Sequence, residues 1–424
     1  MADLQEDDLT TTAEAGALEV SARLTEPSGL TEPTGPVEPT GPVEPTGPVE
    51  PTGPVEPTGP VEPSARTEPP DPPPPAVRPA HPCGPPAPAD DADLERARVL
   101  LAAHPVADGY SGLAQVLGRL PWYDLEEGVS DIDTDVPRLR EGHVGALFCA
   151  LQLPEGPPGR ALSATLEQLD LIGSVVGDHP EGLRPARTAG EVLDAGACGR
   201  TAVLLGPASA VAVDDSLALL RVLHTLGVRV LTLAGTSWAG EAGLTRFGEE
   251  VVREMNRLGV LADLSGASEA TAHRVLATSK APVLWARSGA RALRPHPANL
   301  PDDLLAALGA AKGLCMVPLT AEQTGPTVRD VADHLDHVRA LAGAECVGLS
   351  GTFDADCAHP RELTDVSRYP YLVAELLGRG WSDADVALLT WGNAQRMLRS
   401  ADFAARAAQE RRGPSTARIT DLDG

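Results

Sequence analysis

The sequence predicts a closed (β/α)8 barrel behind a disordered proline-rich tail, and three observations carry that reading. From Asp91 onward, short continuous apolar runs alternate with amphipathic ones. The alternation repeats eight times, and the residues before it have a composition unsuited to a core. Continuous apolar strands between helices are expected where both faces of a parallel sheet are covered. Eight such units argue for closure into a barrel. A doubly wound open sheet is the alternative, because periodicity does not prove closure.

Taken in order, residues 1–92 come first. The hexapeptide EPTGPV runs five times in tandem from Glu32 to Val61, followed by EPSART and PPDPPPP. Proline twice in six residues removes amide donors and biases a chain toward polyproline II. Valine is the only recurring apolar residue, too little to offset the entropy of ordering. The segment is expected to be an extended, acidic, disordered linker, with a docking tail for a partner as the second reading. Glycine at every sixth rather than every third position excludes collagen.

The stretch ADLERARVLLAAH then reads as a helix. Buried strands are expected at Val106–Asp108, Gly145–Leu151, Ala202–Leu205, Val228–Leu233, Val260–Leu264, Ala281–Trp285, Gly313–Pro318 and Cys346–Leu349. Between them lie helical runs such as TRFGEEVVREMNRLG and VRDVADHLDHVRALAG, several closed by glycine. Ser268 and Asn299 are placed to cap helix N-termini. The barrel is expected over 93–403, with a flexible tail over 404–424.

The chain of 424 residues has a formal net charge of −26 and only two lysines, Lys280 and Lys312. That charge argues against nucleic acid or an anionic membrane as a general partner. Six scattered cysteines without a Cys-x-x-Cys pair read as free buried thiols of a reducing compartment. The acidic start MADLQEDDL lacks the pattern of a signal peptide, and no apolar run is long enough to span a membrane, so a cytoplasmic location is expected.

In such barrels the chemistry sits at the C-terminal strand ends. Those ends are ADGYSG (107–112), LGPASAVAV (205–213), TLAGTSWAG (232–240), DLSGAS (263–268), WARSGA (285–290) and GLSGTFDAD (348–356). Ordered blocks support a specific resemblance: TDVPRLREGHVGALF (134–148), DDSLALLRVLHTLGVRVLTL (214–233), LTRFGEEVVREMNRLGVLADLS (244–265), NLPDDLL (299–305), VADHLDHVRALAGAECVGLSGTFD (331–354) and LTDVSRYPYLVAELLGRGWSDADV (363–386). From about His104 to Leu398 the chain resembles the renal (membrane) dipeptidase family. The resemblance implies a (β/α)8 barrel, and in active members a binuclear zinc site that hydrolyses dipeptides.

It also implies where the zinc ligands should stand. The family's Asp-Gly-His-Asn-Asp is here Asp108-Gly109-Tyr110-Ser111-Gly112, so Tyr110 and Gly112 occupy two ligand positions. The bridging glutamate of Glu-Gly-Gly-His falls on Ala208, and the two remaining histidines fall on Gly266 and Arg287. The substrate-contacting histidine and arginine fall on Gly235 and Ala298; the first aspartate of Gly-Asp-Phe-Asp-Gly is Thr352, and Asp354 keeps the second.

Zinc needs three or four N, S or O ligands. Glycine and alanine offer none, tyrosine is a poor donor at its ordinary pKa, and a fixed guanidinium opposes a cation. On this reading no cofactor is expected, although active members use zinc. His334 and His337 stand three apart on a helix of the outer ring and read as packing or a solvated face. His104 and His143 flank strand starts, the wrong end for catalysis. Ser209, Ser265 and Ser288 have no histidine placed as a base.

The candidate pocket residues are therefore Asp108, Tyr110, Ser209, Ser265, Arg287, Thr352 and Asp354, with Thr236 and Trp238 also at the mouth. Arg287 is expected either to pair with Asp108 or Asp354 and neutralise an old pocket, or to hold a small carboxylate ligand. The preferred function is a catalytically inactive homologue acting as a binding or scaffold protein, as a homodimer or paired with an active paralogue. The alternative is a metallodipeptidase with a rebuilt zinc site.

Overall fold

The structure, a computed structural model, describes residues 91–128, 131–153 and 159–424. The expected linker at 1–92 lies almost wholly outside them.

Eleven strands form among the described residues: β1 Val106–Ser111, β2 Val144–Leu151, β3 Leu183–Pro185, β4 Thr201–Ser209, β5 Val230–Thr232, β6 Ala239–Gly240, β7 Gly243–Leu244, β8 Leu261–Asp263, β9 Leu284–Trp285, β10 Leu314–Pro318 and β11 Val347–Ser350. Eight of them close a parallel barrel in the order β1-β2-β4-β5-β8-β9-β10-β11. Closure is made where Asp108 registers with Leu349, and on the other side of β2 where Ala146 registers with Ala202. All eight expected strands are present.

Their bounds differ for local reasons. Within the expected Ala281–Trp285 only β9, Leu284–Trp285, is ladder, since Pro282 has no N–H to donate. Conversely β4 runs on through Gly206 and Pro207 to Ser209, a pair that reads as a break in the sequence. β3 was not expected; its three residues pair beside the start of β4, too short a run to carry a periodic signal. β6 and β7 form a small antiparallel hairpin.

Two apolar layers result. Ala107, Ala146, Phe148, Leu204, Val230, Leu261 and Met316 fill the barrel interior. A larger cluster packs the outside of the strands against the helices. The helix Arg246–Leu258 shows why: Phe247, Val251, Val252 and Met255 recur on one buried face. Thr245 caps its start, accepting from the Gly248 amide at 3.2 Å, and Gly259 ends it at φ +76°.

The helix Asn393–Arg411 passes beneath the barrel, and Ala394, Met397, Leu398 and Ala401 plug its floor. Truncating Met397 or Leu398 to alanine would cost about 2–5 kcal/mol. Residues 404–411, expected in a tail over 404–424, continue this helix, with Ala405 buried. Further on, Asp423 accepts from the Phe247 amide at 3.1 Å.

Ser268 caps its helix as expected, taking the Thr271 amide at 3.1 Å. Asn299 does not cap. It is buried, accepts from the Gly289 amide at 2.9 Å and donates to the carbonyls of Arg294 and Gln323. It cross-links two loops, a role its sequence neighbours do not reveal. Cys149, Cys315 and Cys346 are free and buried as expected, whereas Cys198 is free and exposed. No helix among the described residues is long and apolar enough to cross a membrane.

Candidate functional site

The ends of β1, β2, β4, β5, β8 and β9 surround a cavity of about 250 Å³, part polar and part apolar, at the barrel mouth. Tyr110, Ser209, Ser265 and Arg287 line it, together with Asp263, Thr232 and Gln152. Asp263, the last residue of β8, organises the site. One carboxylate oxygen accepts from the Ala286 amide (2.8 Å), the Ser265 amide (3.1 Å) and the Ser265 hydroxyl (2.7 Å). The other accepts from the Thr232 hydroxyl at 2.6 Å.

The Ser265 oxygen accepts from the Arg287 amide at 3.1 Å, which fixes the backbone that presents the guanidinium. That guanidinium lies over the face of the Tyr110 ring, 4.1 Å from its centroid. A cation on an aromatic face contributes about 0.5–2 kcal/mol, more as water is excluded. Arg287 lines the cavity, and its Nε is buried without a hydrogen-bond partner.

The expected pairing of Arg287 with Asp108 or Asp354 is not formed. Asp108 is fully buried and accepts from the amides of Gly351 (2.7 Å) and Tyr110 (3.1 Å). Asp354 accepts from the Asp133 amide at 2.7 Å, and its own amide donates to the Asp133 carboxylate at 3.2 Å. Backbone donors hold both carboxylates at the β1 and β11 ends, while the Tyr110 ring holds Arg287 on the other side.

The candidates therefore divide. Tyr110, Ser209, Ser265 and Arg287 share the cavity, whereas Asp108, Thr352 and Asp354 belong to a buried network behind it. Trp238 lies outside both, fully buried edge-on to Phe247. Ser209 is half committed, accepting from the Val211 amide at 3.2 Å.

Burial governs the titration of this region. It raises Asp108 to about 6, partly offset by the amides of Gly351 and Tyr110, and raises Asp354 to about 7. It also pushes the Tyr110 hydroxyl up to about 12, with Arg287 pulling the other way, so the phenol keeps its proton. His359, stacked near Phe353 with ring centroids 4.9 Å apart, has its Nε2 3.6 Å from Asp133. Burial lowers its pKa, but the Asp133 carboxylate more than reverses that, and the net shift is upward.

Asp263, Thr232, Gln152, Asp133 and His359 were missed in the sequence. Asp263 was within reach, as a carboxylate ending the strand in DLSG. His359 was not, since it follows β11 in an aperiodic loop.

The residues at the five positions where the resemblance places zinc ligands do not suit a binuclear metal centre. Tyr110 is a buried, protonated phenol. Ala208 is buried in β4 and Gly266 carries no donor atom. At Gly112 an added Cβ would run into the Asp354 backbone, so a carboxylate there requires the chain to move. Arg287 places a cation among them. Among the described residues no group of three or more His, Cys, Asp or Glu is arranged to hold a metal. His334 and His337 face different partners. His334 Nδ1 accepts from the Ala290 amide at 2.9 Å, its pKa lowered by burial to about 4, while His337 contacts Asp302 at 2.8 Å.

Fold and site together define a (β/α)8 barrel with a small pocket at the strand ends, where proteins of this class bind and transform small molecules. Residues 94–412 match the family described as Membrane dipeptidase (Peptidase family M19), and the chain belongs to that family. It is 37% identical to Dipeptidase 3 of Macaca fascicularis over 331 residues, covering 72% of this chain and 67% of that protein. It is 34% identical to Dipeptidase verJ of Clonostachys rogersoniana over 347 residues, covering 74% and 88%. Among solved structures, the probable dipeptidase PvdM of Pseudomonas aeruginosa superposes with a TM-score of 0.67 at 19% identity, covering 74% of this chain and 99% of that one. A metallo peptidase from Rhodobacter sphaeroides, liganded with a phosphinate mimic of the dipeptide L-Ala-D-Ala, gives 0.63 at 24% identity, covering 70% and 99%. These two likenesses concern the fold.

Proposed function

We propose that this chain is a dipeptidase-family barrel that has given up metal-dependent hydrolysis and keeps its mouth as a binding pocket for a small carboxylate. One observation carries the reading: Arg287 lines the mouth cavity with its guanidinium stacked on the Tyr110 ring. A guanidinium is matched to a carboxylate in charge and geometry. The same cation at a ligand position opposes a divalent metal.

The chain's own residues supply the rest of such a site. Asp263 holds Ser265 and Thr232 in place and keeps the pocket close to electroneutral, which favours a monoanion over a dianion. Ser209 lines the same cavity. Among the described residues no general base stands beside a nucleophile in it: Asp263 is saturated by four donors. Such a barrel would act as a binding or scaffold subunit, alone or beside an active paralogue.

The test is metal analysis of the purified chain, a dipeptide hydrolysis assay, and calorimetric titration with N-acyl amino acids and dipeptides. The expected result is no stoichiometric zinc, no turnover, and carboxylate binding that Arg287→Met weakens at least tenfold. About two zinc ions per chain together with turnover would overturn the proposal in favour of a rebuilt metallodipeptidase site.

A further inference from the structure

A groove of about 800 Å³ lies at the opposite end of the barrel, between the floor helix Asn393–Arg411 and the approach to β9. Its walls are apolar along much of their length, including Leu276, Pro282, Ala404 and Ala408. Phe403 stands at its lip, 67% exposed.

The charges around it fall into three sets, of which one is Arg396, half-buried and donating to the carbonyls of Lys312, Gly313 and Glu345. Arg253 and Arg412 are neutralised by Glu249 and Glu250. Lys280, Arg399 and Arg411 are exposed, and among the described residues no carboxylate stands within ion-pair distance of any of them. In a chain with 60 acidic and 34 basic residues, three uncompensated cations around one apolar groove make a local exception to the net charge.

The groove is long enough to select its occupant. Arg399 and Arg411 are twelve positions apart on one helix, about 18 Å along its axis. A peptide in polyproline II advances about 3.1 Å per residue, so six residues span about 19 Å. The hexapeptide at Glu32–Val61 repeats a glutamate at that interval. Each repeat also contains Pro-x-x-Pro, as at Pro33 and Pro36, the pattern that lays pyrrolidine rings on aromatic-edged grooves.

We propose that this groove docks an acidic proline-rich peptide of that chemistry, presented by a second chain. Successive glutamates meet Arg399 and Arg411, and the intervening prolines and valine pack on Phe403 and the alanine face. The proposal is independent of the mouth pocket, which lies at the other end of the strands.

The test uses the full chain and a labelled synthetic peptide of three Glu-Pro-Thr-Gly-Pro-Val repeats, followed by fluorescence anisotropy at low and high salt. The expected result is saturable binding, weakened at least tenfold by R399E/R411E and by high salt, weakened several-fold by Phe403→Ala, and lost with a glutamine-substituted peptide. Thermal melts of both variants, which alter exposed side chains, separate a binding defect from misfolding. No saturation by about 1 mM peptide, or equal affinity for the charge-reversed chain, would overturn the proposal. So would equally tight binding of a proline-free glutamate peptide, which would make the groove a charge patch only.

Discussion

The two ends of the barrel handle positive charge in opposite ways. At the mouth, Arg287 is stacked on Tyr110 and shares a cavity of about 250 Å³ with Asp263. At the floor, Lys280, Arg399 and Arg411 surround a larger groove without a carboxylate partner among the described residues. A cation compensated inside a small cavity selects a small ligand by fit, because little net field reaches solvent. Uncompensated cations around an open groove act at longer range and suit an extended anionic partner. Net charge, at −26 for the chain, describes neither end.

The floor must be rigid for that contrast to hold, and Arg229 provides the largest expected effect. Buried under the floor helix, it donates to Asp402 at 3.0 Å, to the Gly259 carbonyl at 2.8 Å and to the Arg187 carbonyl. Arg229→Met leaves the Asp402 carboxylate with the Ala189 amide as its remaining partner and should lower stability by about 3–5 kcal/mol in urea titrations. A loss below about 1 kcal/mol would mean that the floor helix is held by its apolar plug alone.

The next effect tests the carboxylates behind the mouth. Asp354 has a folded-state pKa of about 7, above its ordinary 3.8. The stability linked to its protonated form is complete at pH 3.8 and below, and is lost as pH rises through about 7. His359, also raised, contributes with the same sign. Asp354→Asn should flatten the fall in stability over that window, by up to a few kcal/mol at its alkaline end. An unchanged pH profile would show that another group dominates it.

Placing a carboxylate at Gly112 should cost less, but measurably. Gly112→Asp forces its side chain into the Asp354 backbone and should destabilise by about 1–3 kcal/mol. The variant is expected to take up no zinc by elemental analysis, since one ligand does not make a centre. Stoichiometric zinc in it would remove the chemical basis for a metal-free mouth. The smallest effect on stability belongs to Arg287→Met, about 1 kcal/mol from the lost ring contact. Its carboxylate affinity should nevertheless fall at least tenfold, so the two readouts separate a binding residue from a structural one.

Much of this architecture was legible because it is written along the chain. Eight apolar runs separated by amphipathic ones specify eight buried strands and favour a barrel, while closure itself is made by the β1–β11 and β2–β4 pairings. Ser268 is a local capping signal and acts as one. Part of the pocket was legible too, since Tyr110, Ser209, Ser265 and Arg287 all lie at or just beyond the C-terminal ends of strands. Asn299 misled because its sequence context suits a cap, while its partners lie on other loops.

What the sequence determined by itself was the fold class, the family, and the absence of donor atoms at positions such as Ala208 and Gly266. Those are properties of residue type and order. Only the tertiary structure decided that Arg287 lies on Tyr110 rather than on a carboxylate, that Asp108 accepts from the Gly351 amide 243 positions away, and that Arg229 meets Asp402 across 173. Periodicity records which side of an element is buried. It does not record which distant groups meet there, and a buried charge takes its chemistry from those neighbours.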